Sequence, residues 1–200
     1  MRFGKEVYAT TGPRIIVRVF AGWHFKPGDV VRSDFVTNGY AGGVPMGGDL
    51  SDAQPGQIPT FLIQAAKDPD GANLDRIQVI KGWVTARGET HEKIYNVAWS
   101  RPRRLGANGK LSLVGNTVDV VHATYTNTIG APVLATAWKD PNFDRSERAY
   151  YYFRVIEIPT PRWTTYDAAR FGGKLPGTVP ASVTQRAYTS PIWYTPNPGA

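Results

Sequence analysis

Apolar residues in this chain recur at every second position, in short runs broken by glycine and proline, and that period admits few folds. In Arg14–Phe20, Ile15, Val17 and Val19 share one face while Arg14 and Arg18 share the other. Successive side chains of a strand point to opposite faces, so the pattern predicts a half-buried strand. Phe61–Lys67 repeats it, with Phe61, Ile63 and Ala65 opposite Leu62 and Gln64. Arg76–Val84 sets Ile77, Val79 and Trp83 together, and Lys93–Trp99 sets Tyr95, Val97 and Trp99 together. Ala86–Thr90, with Gly88, has a hairpin's length between those two runs. Val118–Thr126, Val133–Trp138, Tyr150–Ile158 and Arg186–Tyr194 complete the strand set. Pro159-Thr160-Pro161 ends the third of these, because proline cannot donate to a ladder. Seven or eight short strands with turns between them predict a mainly β fold, an antiparallel β-sandwich-like domain with one or two short helices.

Two hundred residues suffice to bury a core without staples, and cysteine is absent, which excludes disulfides, thiolate metal sites and a cysteine nucleophile. No apolar run approaches the ~18 residues that span a bilayer. No hydrophobic leader core opens the chain; a leader, if one exists, lies upstream of Met1. The net charge is +7, but the only local concentration is Arg101, Arg103 and Arg104 around Pro102, which reads as a solvated turn. Dispersed lysines and arginines make nucleic acid an unfavoured partner.

Thr164-Thr165-Tyr166-Asp167 reads as a capping box opening a helix of about two turns that Gly172 stops. A second short turn is expected at Asp144–Arg148. The segment 22–59 is long, rich in glycine and proline, and reads as a loop of functional or covering character.

Chemistry-bearing motifs are sparse. His24, His91 and His122 are scattered, with no HxH or HExxH pair. His122 alternates with Val118 and Val120, which predicts a structural, partly buried ring, and His91 beside a turn reads as solvated. There is no GxSxG elbow and no phosphate-binding GxxxxGK[ST]. Asp49, after Gly47-Gly48, is the acid best placed for a ligand, although a plain turn explains it too. Thr10-Thr11-Gly12-Pro13-Arg14 offers two hydroxyls and a guanidinium that suit an anion, or a capped turn feeding a strand. The six tryptophans are spread along the chain, as core packing between sheets requires, with sugar or base stacking the alternative.

The blocks VYATTGPRI, VPMGGDL, PTFLIQAAKDPDGANLDRIQVIKGW, GNTVD, TYTNTIGAP, YYYFRVIEIPTPRWTTYDA and RAYTSPIWYTP resemble the carboxyl-terminal part of the bacterial family called domain of unknown function 3604, across nearly the whole chain. The resemblance implies a portion of a longer protein. Its amino-terminal part is similar to the polymerase and histidinol phosphatase superfamily of metal-dependent hydrolases, with a divalent metal, manganese or zinc, held by residues outside this chain. It implies export to the periplasm or beyond. On that view residues 1–12 are the last element of an upstream catalytic domain and residues 13–200 are the sandwich. The apolar opening, Phe3 through Tyr8, is in keeping with the interior of a domain. Phe3, Val7 and Tyr8 would then face the catalytic portion or a second subunit, and Thr10, Thr11, Arg14 and Asp49 would rim the substrate. No residue of this chain is expected to be catalytic or to ligate metal. The alternative is a structural or glycan-binding module that self-associates.

Overall fold

The computed structural model describes residues 6–196. Thirteen strands and two helices follow in order: β1 (Tyr8–Thr10), β2 (Ile16–Gly22), α1 (Phe35–Gly42), β3 (Val44–Pro45), β4 (Asp49–Leu50), β5 (Thr60–Ala66), β6 (Leu74–Val84), β7 (Thr90–Trp99), β8 (Val133–Lys139), β9 (Arg148–Glu157), β10 (Thr160–Pro161), α2 (Trp163–Phe171), β11 (Ser182–Val183), β12 (Arg186–Thr189) and β13 (Ile192–Tyr194). The fold is mainly β, as the alternation predicts. Two sheets pack face to face, and β10 and β11 form a separate small ladder.

In the larger sheet β6 pairs antiparallel with β7 on one side and β9 on the other. The far side of β9 is met by β12 along its second half and by β13 along its first. These two are one run interrupted at Ser190-Pro191, where proline supplies no N–H. The Phe153 N–H donates instead to the Thr189 hydroxyl oxygen at 3.0 Å. Beyond them β1 adds antiparallel to β12, Tyr8 opposite Thr189, and β4 adds parallel to β13, Asp49 opposite Trp193. The smaller sheet runs β3-β2-β5-β8, antiparallel throughout.

The core lies between the sheets. Val17, Val19, Phe61 and Ile63 face Ile77, Val79, Tyr151, Phe153 and Val155, all buried. Phe61 meets Tyr151 at a centroid distance of 4.6 Å and Trp138 at 5.5 Å. One flank is closed where Tyr95 of β7 meets Trp138 of β8 at 5.0 Å. The other is closed by the chain itself, which passes from β3 in the smaller sheet to β4 in the larger one through buried Met46.

The segment 22–59 is more ordered than its composition suggests. It holds a 3-10 turn (Pro27–Val31), α1, β3 and β4. Phe25, Val30 and Phe35 pack on Phe20 and Leu62, covering the outer face of the smaller sheet. That cover explains why β5 is buried on both faces. The hairpin joining β6 to β7 forms as expected, with Gly88 at φ +82°.

Four expectations are corrected. Residues 118–126 form a turn with a single bridge between Asp119 and Thr124, not a strand. The Asp119 carboxylate accepts the N–H groups of Val121 and His122, and such local bonds outcompete a ladder. His122 is consequently exposed and pairs with Asp119 at 2.7 Å. The α2 start has no capping box: the helix begins at Trp163, and the Thr165 hydroxyl donates to the Ala181 carbonyl at 2.6 Å instead. Gly172 does stop it, at φ +69°. Finally, Arg103 is not solvated. Its guanidinium is nearly buried and donates to Asp75 Oδ1 at 2.5 Å and to the carbonyls of Asp75, Ser100 and Ser112.

Candidate functional site

The β6–β9 pair places two unlike regions at its two ends. The first gathers polar groups where β6 begins and β9 finishes. Arg14, just before β2, donates to both Asp68 oxygens and to Asp70 at 2.8 Å. The Arg14 backbone N–H also donates to Asp68, at 2.7 Å. The Arg14 side chain, the Arg14 backbone N–H and the Asp70 backbone N–H lower the Asp68 carboxyl to about 2. The Lys67 ammonium holds the same turn by donating to the carbonyls of Asp68, Pro69 and Gly71. Thr11 lies alongside: its hydroxyl donates to Gln185 Oε1 at 2.5 Å and accepts the Arg186 N–H at 2.9 Å.

Glu157 closes this end from beneath. It is buried, its Oε1 has no hydrogen-bond partner, and Gly71 lies over it, with no side chain in between. Burial, reinforced by the Asp68 charge and eased by Lys67, pushes its carboxyl up to about 7. Further buried atoms without a hydrogen-bond partner lie on the adjoining chain: Arg162 Nε, Thr164 Oγ1 and Arg186 Nε. These segments are contiguous, since the Arg162 N–H donates to Ala181 and the Glu157 N–H to Gln185.

Of the expected rim residues, Thr10 on β1 lies opposite Ala187 and Thr11 bonds to Gln185 and Arg186, whereas Arg14 turns to Asp68 and Asp70. Asp49 does not join them; it sits opposite Trp193 at the other end of the sheet. Val7 and Tyr8 are on the exposed β1 edge, where the Ser190 N–H donates to the Val7 carbonyl at 2.8 Å. Phe3 lies outside the described residues.

The second region is a cleft of about 470 Å³ at the opposite end, where β6 turns into β7. Trp83, His91, Arg148, Tyr150 and Trp193 line it.

Between the two, inside the sandwich, Lys81 pairs with Asp140 at 2.6 Å, both side chains almost fully enclosed. Lys81 also donates to the Asn142 carbonyl at 2.7 Å, and the Tyr151 hydroxyl donates to Asp140 at 2.8 Å. Burial and the Asp140 charge push the Tyr151 hydroxyl far above its ordinary value, fixing it as a donor. The same two causes push Tyr95 up to about 12. Every strong group here is satisfied, which makes the trio a structural bolt rather than a reactive one.

The residue patterns held signals for some of these groups. Lys81 stands in the apolar register of Ile77, Val79 and Trp83, and Glu157 interrupts an apolar run; a charge in a core position is the cue. Asp140 carries no such mark. Among the described residues no group of three or more His, Asp or Glu is placed to hold a metal ion, so they do not fit the divalent ion that the resemblance implies. No helix among them is long and apolar enough to cross a membrane.

Residues 3–196 match the family model described as "Protein of unknown function (DUF3604)". No curated protein and no solved structure matches the chain.

Proposed function

The chain belongs to that family, and on this footing we propose that it is the β-rich portion of a metal-dependent hydrolase of phosphate or sulfate esters, exported from the cell and not catalytic by itself. The ion, manganese or zinc, and the water it activates would come from an amino-terminal catalytic portion or a second subunit. The observation that supports this reading is the polar end of the sandwich. A buried polar atom without a partner costs ~1–3 kcal/mol. Glu157 Oε1, Arg162 Nε, Thr164 Oγ1 and Arg186 Nε are such atoms, on segments joined through Ala181 and Gln185. At the same end the Arg14 side chain is exposed and paired with Asp68 and Asp70, a charged surface that suits contact with a further protein segment or a ligand. Thr11 and Arg14 then act as rim residues that position an ester through its charge.

The test joins the chain to a family catalytic portion, as one polypeptide or as a mixture, and follows aryl phosphate and aryl sulfate hydrolysis with manganese or zinc. Arg14→Ala is expected to raise KM about tenfold with kcat little changed, the loss of one charge-assisted contact. Absence of both a stable complex and any gain in hydrolysis refutes the reading. A self-associating or ligand-binding module is the second reading. The aromatic cleft favours ligand binding, and light scattering at rising concentration tests for association.

A further inference from the structure

We propose that the cleft at the β6–β7 end is a carbohydrate site that takes one pyranose ring of a neutral glycan. This does not rest on the hydrolase reading and concerns residues remote from Arg14 and Thr11.

The floor of the cleft is built by a glycine. Gly82 stands opposite Tyr150 in the β6–β9 ladder. A Cβ on Gly82 would overlap the Cζ, Cε1 and hydroxyl atoms of the Tyr150 ring. The ring therefore lies down across β6, one face on the backbone and the other turned to the cleft. Trp193, opposite Tyr150 in the β9–β13 ladder, rises beside it with its centroid 5.6 Å away and its plane tilted by 56°. Val84 and Thr90, paired in the β6–β7 ladder on the same sheet face as Gly82, form the far wall. Arg148, exposed at the start of β9, supplies donors at the mouth.

This geometry selects among ring-shaped ligands. The face of an aromatic ring is electron-rich and attracts the weakly positive C–H face of a sugar, while guanidinium and ring-edge donors meet its hydroxyls. A floor and a wall tilted by 56° accept a puckered ring, whereas a flat base is held best between parallel faces. One cation, Arg148, beside the rings of Tyr150 and Trp193 and the uncharged side chains of Val84 and Thr90 favours a neutral ligand over a polyanion. The volume, about 470 Å³, is in the range of small-molecule sites, roughly 300–1,000 Å³.

The test titrates the full chain with soluble oligosaccharides of glucose, xylose, mannose and N-acetylglucosamine, read by tryptophan emission and by calorimetry. Saturable binding of at least one series is expected. Tyr150→Ala and Trp193→Ala should each weaken it by about tenfold, the loss expected for one stacking contact; Tyr150→Phe should keep it within about threefold. Near-ultraviolet circular dichroism checks that each variant is folded. If the alanine variants do not fold, Arg148→Ala, at an exposed position, must still weaken binding. The proposal is overturned if no oligosaccharide binds at millimolar concentration, or if the folded cleft variants bind as tightly as the parent. It is equally overturned if a mononucleotide or a proline-rich peptide occupies the cleft in place of sugar.

Discussion

Lys81 is tolerated in the middle of a sandwich because its charge is answered from three directions: Asp140, the Asn142 carbonyl and the ring of Trp83, whose centroid lies 5.0 Å away. Removing one member of a buried pair leaves the other uncompensated, at a cost of ~3–5 kcal/mol. Asp140→Ala is therefore expected to lose about that much in urea unfolding, and Lys81→Met in the same background to recover part of it. Glu157 makes a pH prediction. Its folded carboxyl titrates near 7, above its ordinary 4.5, so the folded state holds the proton more tightly than the unfolded chain does. Stability from this group is full below pH 4.5 and drains away as pH rises through about 7. Glu157→Gln should flatten that part of the stability profile and leave the variant the more stable of the two at pH 8. Asp68 runs the other way: held low by Arg14, it contributes above the ordinary carboxylate range and is lost only as pH falls toward about 2. At this scale the chain was half legible. Lys81 and Glu157 stand out as charges in apolar runs, and Thr11 and Arg14 as a polar cluster. Asp140 and the flat seat of Tyr150 depend on partners far away in sequence and leave no local trace.

Among the elements, strands with alternation on one covered face were readable, and those shaped by tertiary cover were not. Helix α1 is the clearest case. Asn38-Gly39 reads as a turn, and glycine inside a helix costs ~1 kcal/mol relative to alanine. Yet a Cβ at Gly39 would overlap the ring of Phe20, so the glycine is what lets the helix lie on β2. Phe20 is then clasped by Phe35 at 5.4 Å and Tyr40 at 4.9 Å. Two effects oppose each other in Gly39→Ala: a helix gain of ~1 kcal/mol and an overpacking cost of ~1–3 kcal/mol. The second is expected to win, with a net loss of about 1 kcal/mol or more in chemical denaturation. The false strand at 118–126 failed for the opposite reason: its apolar alternation was real, but Asp119 sequestered the N–H groups that a ladder needs. The long glycine-rich segment looked like loop because its apolar residues, Phe25, Val30 and Phe35, are spaced for a cap over someone else's sheet rather than for a strand or helix of their own.

For the molecule as a whole, the layering was predictable and the strand order was not. Alternation says which face is buried, but it does not say that β12 and β13 share one flank of β9, or that β1 pairs with a strand nearly the full chain length away. Such distant pairings must be closed against chain entropy before they repay it. Refolding is accordingly expected on the millisecond-to-second scale, followed by tryptophan emission after rapid dilution from denaturant; a microsecond phase carrying the whole amplitude would contradict the topology. Both flanks of the sandwich are shut, one at Tyr95 and Trp138, the other by the β3-to-β4 passage. Where β7 is most exposed it carries Glu92 and Lys93, the charges that discourage a foreign strand from adding itself. The outer edges of β1, β7 and β8 meet no further strand among the described residues, so a copy of this protein that meets another finds main-chain rungs there, and the charges carried by β7 are what stand between orderly contact and the indiscriminate adhesion that breeds fibrils.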